Sequence, residues 1–271
     1  MFRSLSSIAS HYVFIIPVLR DRFLLMGKIV DHFLFFAHKV HDDTVILDKD
    51  ETKHALTVLR IAFGDSIFVT DGKGTIYFCK YIDFRSDCCE AKILRKKKQE
   101  IIEPYLHVFV GLPEKDSFES LLKSLVPLGV VNITPVECRY CQKKWWLKNW
   151  GKSCLRFQKM MITAAKQSWN AWIPLLSSPV SFNSAISTDH DLVLVADENG
   201  EELLSYLNNS IIKSSKKISC FVGPPGGFTD EELSNLSKLG SFSVKISRHR
   251  LRTELAATVL VASIVQLVIS Y

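Results

Sequence analysis

Two rhythms of apolar and polar residues divide the chain. From about residue 32 to 94, short β-branched and aromatic runs are broken by turn residues. Thr44–Leu47 reads as a strand, Lys53–Leu59 as a short helix ending near Arg60, and Ser66–Thr70, Thr75–Tyr81 and Ala91–Leu94 as further strands. Between the second and third of these strands, Asp71-Gly72-Lys73-Gly74 is a hairpin turn, because glycine accepts positive φ. This pattern predicts a small β-barrel. From Tyr105 onward the period lengthens to that of helices between strands. Leu106–Leu112 is a strand, Ser117–Leu128 a helix that ends at Gly129, and Val130–Pro135 a second strand. Helices over 152–170, 200–208, 229–239 and 253–269 then alternate with strands over 191–196, 217–222 and 242–246. Such alternation predicts an α/β domain with a mainly parallel sheet. The expected units are 26–98 and 104–271, with Glu103-Pro104 marking the boundary.

Composition adds little to that picture but removes some alternatives. With 271 residues, 47% hydrophobic and 23% charged, the chain is globular, and extensive disorder is excluded. Residues 1–25 carry His11, Pro17, Arg20, Asp21 and Arg22 within an apolar stretch, and no signal-peptide core stands out. They read as an extension or as a start placed too early, with Met26 the better start of a compact fold. The apolar run Ala256–Ile269 has 14 residues, short of the roughly 20 a membrane span needs, so it reads as a core or interface helix. The net charge of +6 suits a polyanionic partner such as RNA. Seven cysteines without a disulfide-scaffold spacing fit reduced, cytoplasmic thiols. Cys138-Arg139-Tyr140-Cys141 is a CxxC without a second pair to complete a zinc site, so no metal is expected. His54, on an apolar helix face, reads as a structural histidine.

The chemistry concentrates in two segments. Phe221-Val222-Gly223-Pro224-Pro225-Gly226-Gly227-Phe228 leads from a strand into a helix whose start, Thr229 with Glu232, has the form of a capping box. Gly223, Gly226 and Gly227 allow close approach of backbone to a ligand, here one of adenosine type; a tight strand-to-helix turn is the plainer alternative. The loop lacks the lysine and hydroxyl of a P-loop and is not GxGxxG, so an ordinary dinucleotide site is not indicated. The second segment, Ile246-Ser247-Arg248-His249-Arg250-Leu251-Arg252-Thr253-Glu254, ends a strand and starts a helix with Thr253 as N-cap. Its arginines suit phosphate, and Glu254 either satisfies the helix dipole or holds Arg252. The basic run Arg95, Lys96, Lys97 and Lys98 reads as a solvated linker or a phosphate contact. Trp145, Trp146, Trp150, Trp169 and Trp172, interleaved with Lys143, Lys144, Lys148 and Lys152, read as inward-packing residues ahead of a base-stacking platform.

Together these residues resemble a known family. Gly-Pro-x-Gly-Gly-Phe-Thr from Gly223, then Leu-Arg-Thr-Glu-x-Ala from Leu251, is similar to the ribosomal RNA small-subunit methyltransferase E family. His54-x-x-x-Val58-Leu59-Arg60-x-x-x-Gly64-Asp65, Leu128-Gly129-Val130, Ala164–Ser168 and Ile173-Pro174 extend the resemblance from about residue 32 to 271. It implies a PUA-like, RNA-binding barrel followed by a SPOUT-type domain, a parallel sheet with a deep trefoil knot. It also implies a homodimer in the cytoplasm, away from membranes, that uses S-adenosyl-L-methionine (SAM) to methylate N3 of a uridine in 16S rRNA of the 30S subunit. By the same resemblance the cofactor is lined by Gly223, Gly226 and Gly227, by the backbone near Leu194 and Ala196, and by Ile246, Ser247, Leu251 and Thr253. Pro225, Pro127, Asn170, His249, Arg250 and Leu255 depart from the family's usual residues.

Uridine N3 carries a proton at neutral pH, so a site that methylates it must remove that proton or stabilise the anion spread over O2, N3 and O4. Arg252 is the candidate for that positive field, Glu254 for orienting Arg252 or assisting proton removal, and Gln167 for holding the base edge or a phosphate. Arg60, Arg95, Lys96, Lys97, Arg248 and Arg250 are the candidate RNA contacts. Two rival readings remain: another SPOUT enzyme acting on tRNA or a ribose 2′-OH, and a non-catalytic RNA-binding or assembly factor.

Overall fold

The computed structural model describes residues 29–85, 87–142, 145–202 and 209–269. The extension 1–25, Lys143 and Lys144, and residues 203–208 of the expected helix 200–208 lie outside the described residues, as do the side chains of Trp146 and Lys148.

Five strands form the first unit: β1 (Ile29–Val40), β2 (Thr44–Leu47), β3 (Ser66–Thr70), β4 (Thr75–Arg85) and β5 (Cys88–Lys98). They close into a barrel in the order β1-β2-β5-β4-β3. Alternation along the strands sends Phe35, Val45, Leu47, Ile67, Val69, Cys79 and Ala91 into one core. Closure leaves no sheet edge to protect, which suits a strand-rich unit this small. The expected helix over 53–59 begins earlier, as α1 (Lys49–Lys53) capped by the Asp48 side chain, and continues as a π-turn over His54–Val58. His54 stacks on Phe33 at 4.6 Å between ring centroids, a packing role. The run Arg95–Lys98 is not a linker. It is the end of β5, laddered to Thr75–Phe78 of β4 with its side chains in solvent.

The second unit is a parallel sheet of β6 (Tyr105–Gly111), β7 (Asn132–Glu137), β8 (Leu175–Leu176), β9 (Val180–Ser181), β10 (Leu192–Glu202), β11 (Lys217–Val222) and β12 (Phe242–Lys245). Its order is β12-β10-β11-β6-β7-β8, with β9 also on β7. The helices are α2 (Lys115–Leu125), α3 (Trp145–Ser168), α4 (Phe182–Ile186), α5 (Asn209–Ser214), α6 (Asp230–Ser237) and α7 (Thr253–Ile269). Val108, Val110, Leu194, Cys220 and Val222 point to one face, where they meet α2, α3 and α7. Phe109, Val193, Val195 and Phe221 point to the other, against Phe182 of α4 and Leu236 of α6. Burial on both faces is why these strands read as continuous apolar runs. Residues 200–202 belong to β10 and not to a helix, and α3 starts seven residues before the expected 152, with a break at Asn149.

The units meet at a polar seam. The 71–74 turn exchanges backbone hydrogen bonds with 171–173 (Gly74 N to Ala171 O, 2.9 Å; Ile173 N to Gly72 O, 3.0 Å). Gly72 and Gly74 both have positive φ, and a Cβ on Gly74 would collide with the Trp172 ring. Gln99 accepts from Ala171 N and Trp172 Nε1, Trp169 stacks edge-on against Phe68, and Lys166 pairs with Glu51. Trp145 and Trp150 pack on Phe118 and Phe157. The four tryptophans whose side chains are described therefore pack, and none is free as a stacking platform.

Candidate ligand site at the carboxyl end of the sheet

In parallel sheets the loops leaving the carboxyl ends of the strands gather on one side, where ligands bind. Here the irregular stretch of β10 after Ala196 and the loops after β11 and β12 frame a cleft of about 260 Å³. The loop after β11 is shaped by its glycines. Gly227 has φ 79°, a Cβ on Gly226 would come within 2.6 Å of Tyr140 Cβ, and one on Gly223 within 3.1 Å of Phe228 N. The capping box at Thr229 is present: Glu232 N donates to Thr229 Oγ1 at 3.1 Å, and Thr229 N donates to Glu232 Oε2 at 2.8 Å. The second carboxylate oxygen, Glu232 Oε1, accepts from Arg139 N, so the buried glutamate also fixes the 138–141 turn beside the loop.

Two hydrogen bonds join the loop after β11 to the segment after β12. Thr253 Oγ1 donates to Gly223 O at 3.0 Å, and Arg250 Nη2 donates to Pro225 O at 3.1 Å. Thr253 is thus not the N-cap. It is the first helical residue of α7, and its buried hydroxyl reaches across the cleft floor. Arg250, assigned from sequence to RNA, spends one nitrogen on the loop.

Of the residues assigned to the cofactor, Ala196, Gly223, Gly226, Gly227, Ile246, Ser247, Leu251 and Thr253 line this cleft. For the stretch Leu194–Ala196, expected to line the cofactor with its backbone, Ala196 lines the cleft and the Leu194 side chain is buried in the core beneath. Arg252 and Arg248 are exposed and lie outside the lining, and Glu254 is half-buried. Among the described residues no ion pair joins Arg252 to Glu254, so the orienting role has no contact behind it. Gln167 stands apart, exposed in a separate groove with Lys123, Pro127 and Thr163 between α2 and α3. Arg60, Lys96 and Lys97 are exposed on the barrel, as is Arg95.

Sequence reasoning missed the acidic half of the cleft. Asp197 and Glu198, in the stretch of β10 where its pairing with β12 is interrupted, and Asp230 at the start of α6 line it, together with Phe228, Leu233 and His249. The available signal was their position: Asp197 and Glu198 come just after the apolar run 192–196, and Asp230 after the glycine-rich loop. Apolar walls from Ile246, Leu251, Phe228 and Leu233, glycine backbone, and carboxylates suit a ligand with a flat aromatic part and positive charge. The cysteines add no chemistry there. Burial pushes the Cys79, Cys89 and Cys220 thiols up to about 12. The Cys138 thiol donates to Cys141, which raises the first and lowers the second. Among the described residues there is no cluster of metal-ligating side chains and no helix long and apolar enough to cross a membrane.

The fold and the cleft define an α/β protein that takes a small ligand at the carboxyl ends of its parallel strands and carries a separate closed barrel. The family model for an RNA methyltransferase domain matches residues 102–265, and that for an RNA methyltransferase PUA domain matches 47–98. The chain belongs to the RNA methyltransferase family. It is 25% identical to the ribosomal RNA small subunit methyltransferase E of Rickettsia conorii over 209 residues, 77% of this chain and 83% of that protein. Two solved structures share the fold. One is the Neisseria gonorrhoeae ribosomal RNA small subunit methyltransferase E bound to S-adenosyl methionine (TM-score 0.74, 23% identity, 85% of this chain and 95% of that one). The other, from Thermotoga maritima, is described as a predicted RNA methyltransferase (TM-score 0.65, 26% identity, 86% and 97%).

Proposed function

We propose that this chain methylates N3 of a uridine in 16S rRNA, with SAM bound in the cleft between residues 223–228 and 246–251. The observation that carries the reading is that cleft: two segments 25 to 30 residues apart in sequence, tied by two hydrogen bonds, with glycines and carboxylates turned to one space. The residues fit the cofactor. The apolar walls suit adenine, the glycine backbone allows close approach, and Asp197, Glu198 and Asp230 suit a sulfonium and an ammonium. The trefoil knot implied by the resemblance belongs to this proposal, as do the homodimer, the 30S particle as substrate and a cytoplasmic site of action. The closeness of the two segments is consistent with the knot, and the apolar surface that α7 leaves uncovered, including Leu255, with the dimer.

When bound, the cofactor supplies an electrophilic methyl group. The chain's own task is to present N3 without its proton. Arg252, exposed beside the amino end of α7, offers a guanidinium to the uracil oxygens, and the α7 amino end adds positive potential. Glu254, in the first turn of α7, accepts the N3 proton through water. In this reading Gln167 takes no step within the same protomer, since its groove is separate.

The test has two parts. Calorimetric titration with SAM must show one site per chain. Incubation with 30S particles from cells lacking the modification, followed by mass spectrometry of nucleosides, must yield 3-methyluridine. Methylation at another atom would support the tRNA or ribose alternative, and no SAM binding would support the non-catalytic one. Arg252→Ala is expected to bind SAM normally and to methylate about 100-fold more slowly; a normal rate refutes its assignment.

A further inference from the structure

The barrel surface carries an arrangement that methyl transfer at the cleft does not use. Between the π-turn and β3 the chain turns sharply, with Arg60 at φ 52° and Gly64 at φ 89°. Four hydrogen bonds hold this turn. Ala62 N donates to Asp65 Oδ2 and Asp65 N to Ala62 O, while Gly64 N donates to the O of Tyr81 on β4 and Tyr81 N donates to Asp65 O. Between those fixed points Phe63 is 77% exposed. Its ring meets Tyr81 edge-on at 6.4 Å, which leaves most of it open to solvent. A lone exposed aromatic on a mobile loop means little. One held in place by a four-point turn is preorganised for contact.

The charges around it say what kind of contact. Arg60 is exposed two residues before the ring's neighbour, and a Cβ on Gly64 would meet only Lys80 Cε, at 3.7 Å. Lys80 lies directly opposite Lys92 in the β4–β5 ladder. Like charges facing each other across a ladder repel, and neither lysine has an ion-pair partner among the described residues. Of the nearby acids, Asp87 lies at the far turn of this hairpin, Asp83 and Glu90 pair with each other beyond the two lysines, and Asp65 spends an oxygen on Ala62 N within the turn. From Lys92 the positive charge continues along β5 through Arg95, Lys96, Lys97 and Lys98, all exposed. Those six steps cover roughly 20 Å and end at Gln99, which is hydrogen-bonded into the seam with the methyltransferase domain.

We propose that Phe63 is a stacking platform for one unpaired RNA base, with Arg60, Lys80 and Lys92 holding the flanking phosphates and β5 leading the strand toward the methyltransferase domain. The inference rests on the RNA reading of the function and adds a site and a substrate form: a single-stranded nucleotide at the barrel, not a duplex. An exposed ring with cationic side chains on the same turn and the adjoining strands favours nucleic acid over a protein partner, because stacking and phosphate contact then act on the same strand.

The test uses the full-length chain and fluorescence anisotropy with labelled oligouridylate and with an RNA duplex of equal length, SAM affinity serving as the control for folding. Phe63→Ala is expected to weaken oligouridylate binding about tenfold and duplex binding by less than about twofold, with Phe63→Trp restoring the first. The salt dependence of oligouridylate binding is expected to be unchanged in Phe63→Ala, which removes no charge, and shallower by about one counterion in Lys80→Gln. Wild-type oligouridylate affinity in Phe63→Ala overturns the platform alone, as does an equal loss for duplex. Loss confined to intact 30S particles assigns the ring to a protein contact and also overturns it. A wild-type chain that binds SAM but no RNA overturns both this inference and the RNA reading beneath it.

Discussion

Thr253 is where the cleft can be tested with least disturbance. Its hydroxyl, on a residue 4% exposed, donates to Gly223 O at 3.0 Å. Thr253→Val keeps the branched shape and removes only the donor. Leaving a buried carbonyl without its partner costs about 1–3 kcal/mol. Gly223 is only half-buried, so in the free protein its loop can shift and recover a water, which puts the cost at the low end. Binding requires the loop to return to its closed position, so the penalty reappears in affinity. We expect SAM binding weakened about tenfold, equal to about 1.4 kcal/mol, and unfolding free energy lowered by about 1 kcal/mol. Thr253→Ser retains the hydroxyl and is expected to stay within about twofold of wild type, since the bond itself is kept. Calorimetry with SAM, paired with urea denaturation, measures both quantities. A valine variant that folds normally and binds SAM as tightly as wild type would refute the claim that this bond positions the loop.

Other perturbations probe the surroundings. Gly226→Ala places a methyl group 2.6 Å from Tyr140 Cβ, so the loop or the 138–141 turn must move; weaker SAM binding by calorimetry is expected, partly recovered by adding Tyr140→Ala. His107, beside Thr134 and stacked on Phe109, is held down to about 3 by burial, then by the charges of Lys217 and His190. The unfolded chain therefore takes up that proton first. The neutral histidine's contribution is complete above about pH 6.5 and is lost as pH falls toward 3, by at most about 1.4 kcal/mol per pH unit. His107→Gln is expected to flatten that part of the urea-denaturation profile, and an unchanged slope counts against the assignment. Glu51→Gln strands Lys166 at the seam, where both side chains are largely buried, and is expected to cost about 3 kcal/mol. Lys166→Met in the same chain is expected to return much of that loss in the same assay.

What the sequence made legible follows from what is local. The barrel hairpin at 71–74 and the capping box at Thr229 are short-range chemistry, and both stand as read. The 223–227 loop and the 246–253 segment were expected to share one pocket through the family resemblance, and both line the cleft. The errors are long-range. Arg95–Lys98 read as either a solvated linker or a phosphate contact, and the linker alternative fails because its charges hide a ladder partner in β4. Thr253 looked like a cap because its acceptor, Gly223, lies 30 residues away. Leu194 was expected to offer its backbone to the ligand, and alternation turns its side chain into the core. Asp197, Glu198 and Asp230 were passed over because scattered carboxylates carry no spacing signal until the sheet aligns the strand ends.

Most of the segments that carry the family resemblance in the second domain gather at two places, and the division has a physical consequence. The two glycine- and arginine-bearing segments build the cleft. Ala164–Ser168 and Ile173, by contrast, lie at or beside the seam, where Lys166 reaches Glu51 and Ile173 N donates to Gly72. A seam made of backbone pairing, an ion pair and ring contacts holds orientation more than it adds area, because each of these is directional. β5 enters that seam through Gln99, so the cationic strand is fixed relative to the domain that holds the cleft. A flexibly linked barrel would raise only the local concentration of RNA. A fixed one also sets where along the bound strand the target base arrives, and that registration follows from the seam whether or not any barrel residue contacts the base itself.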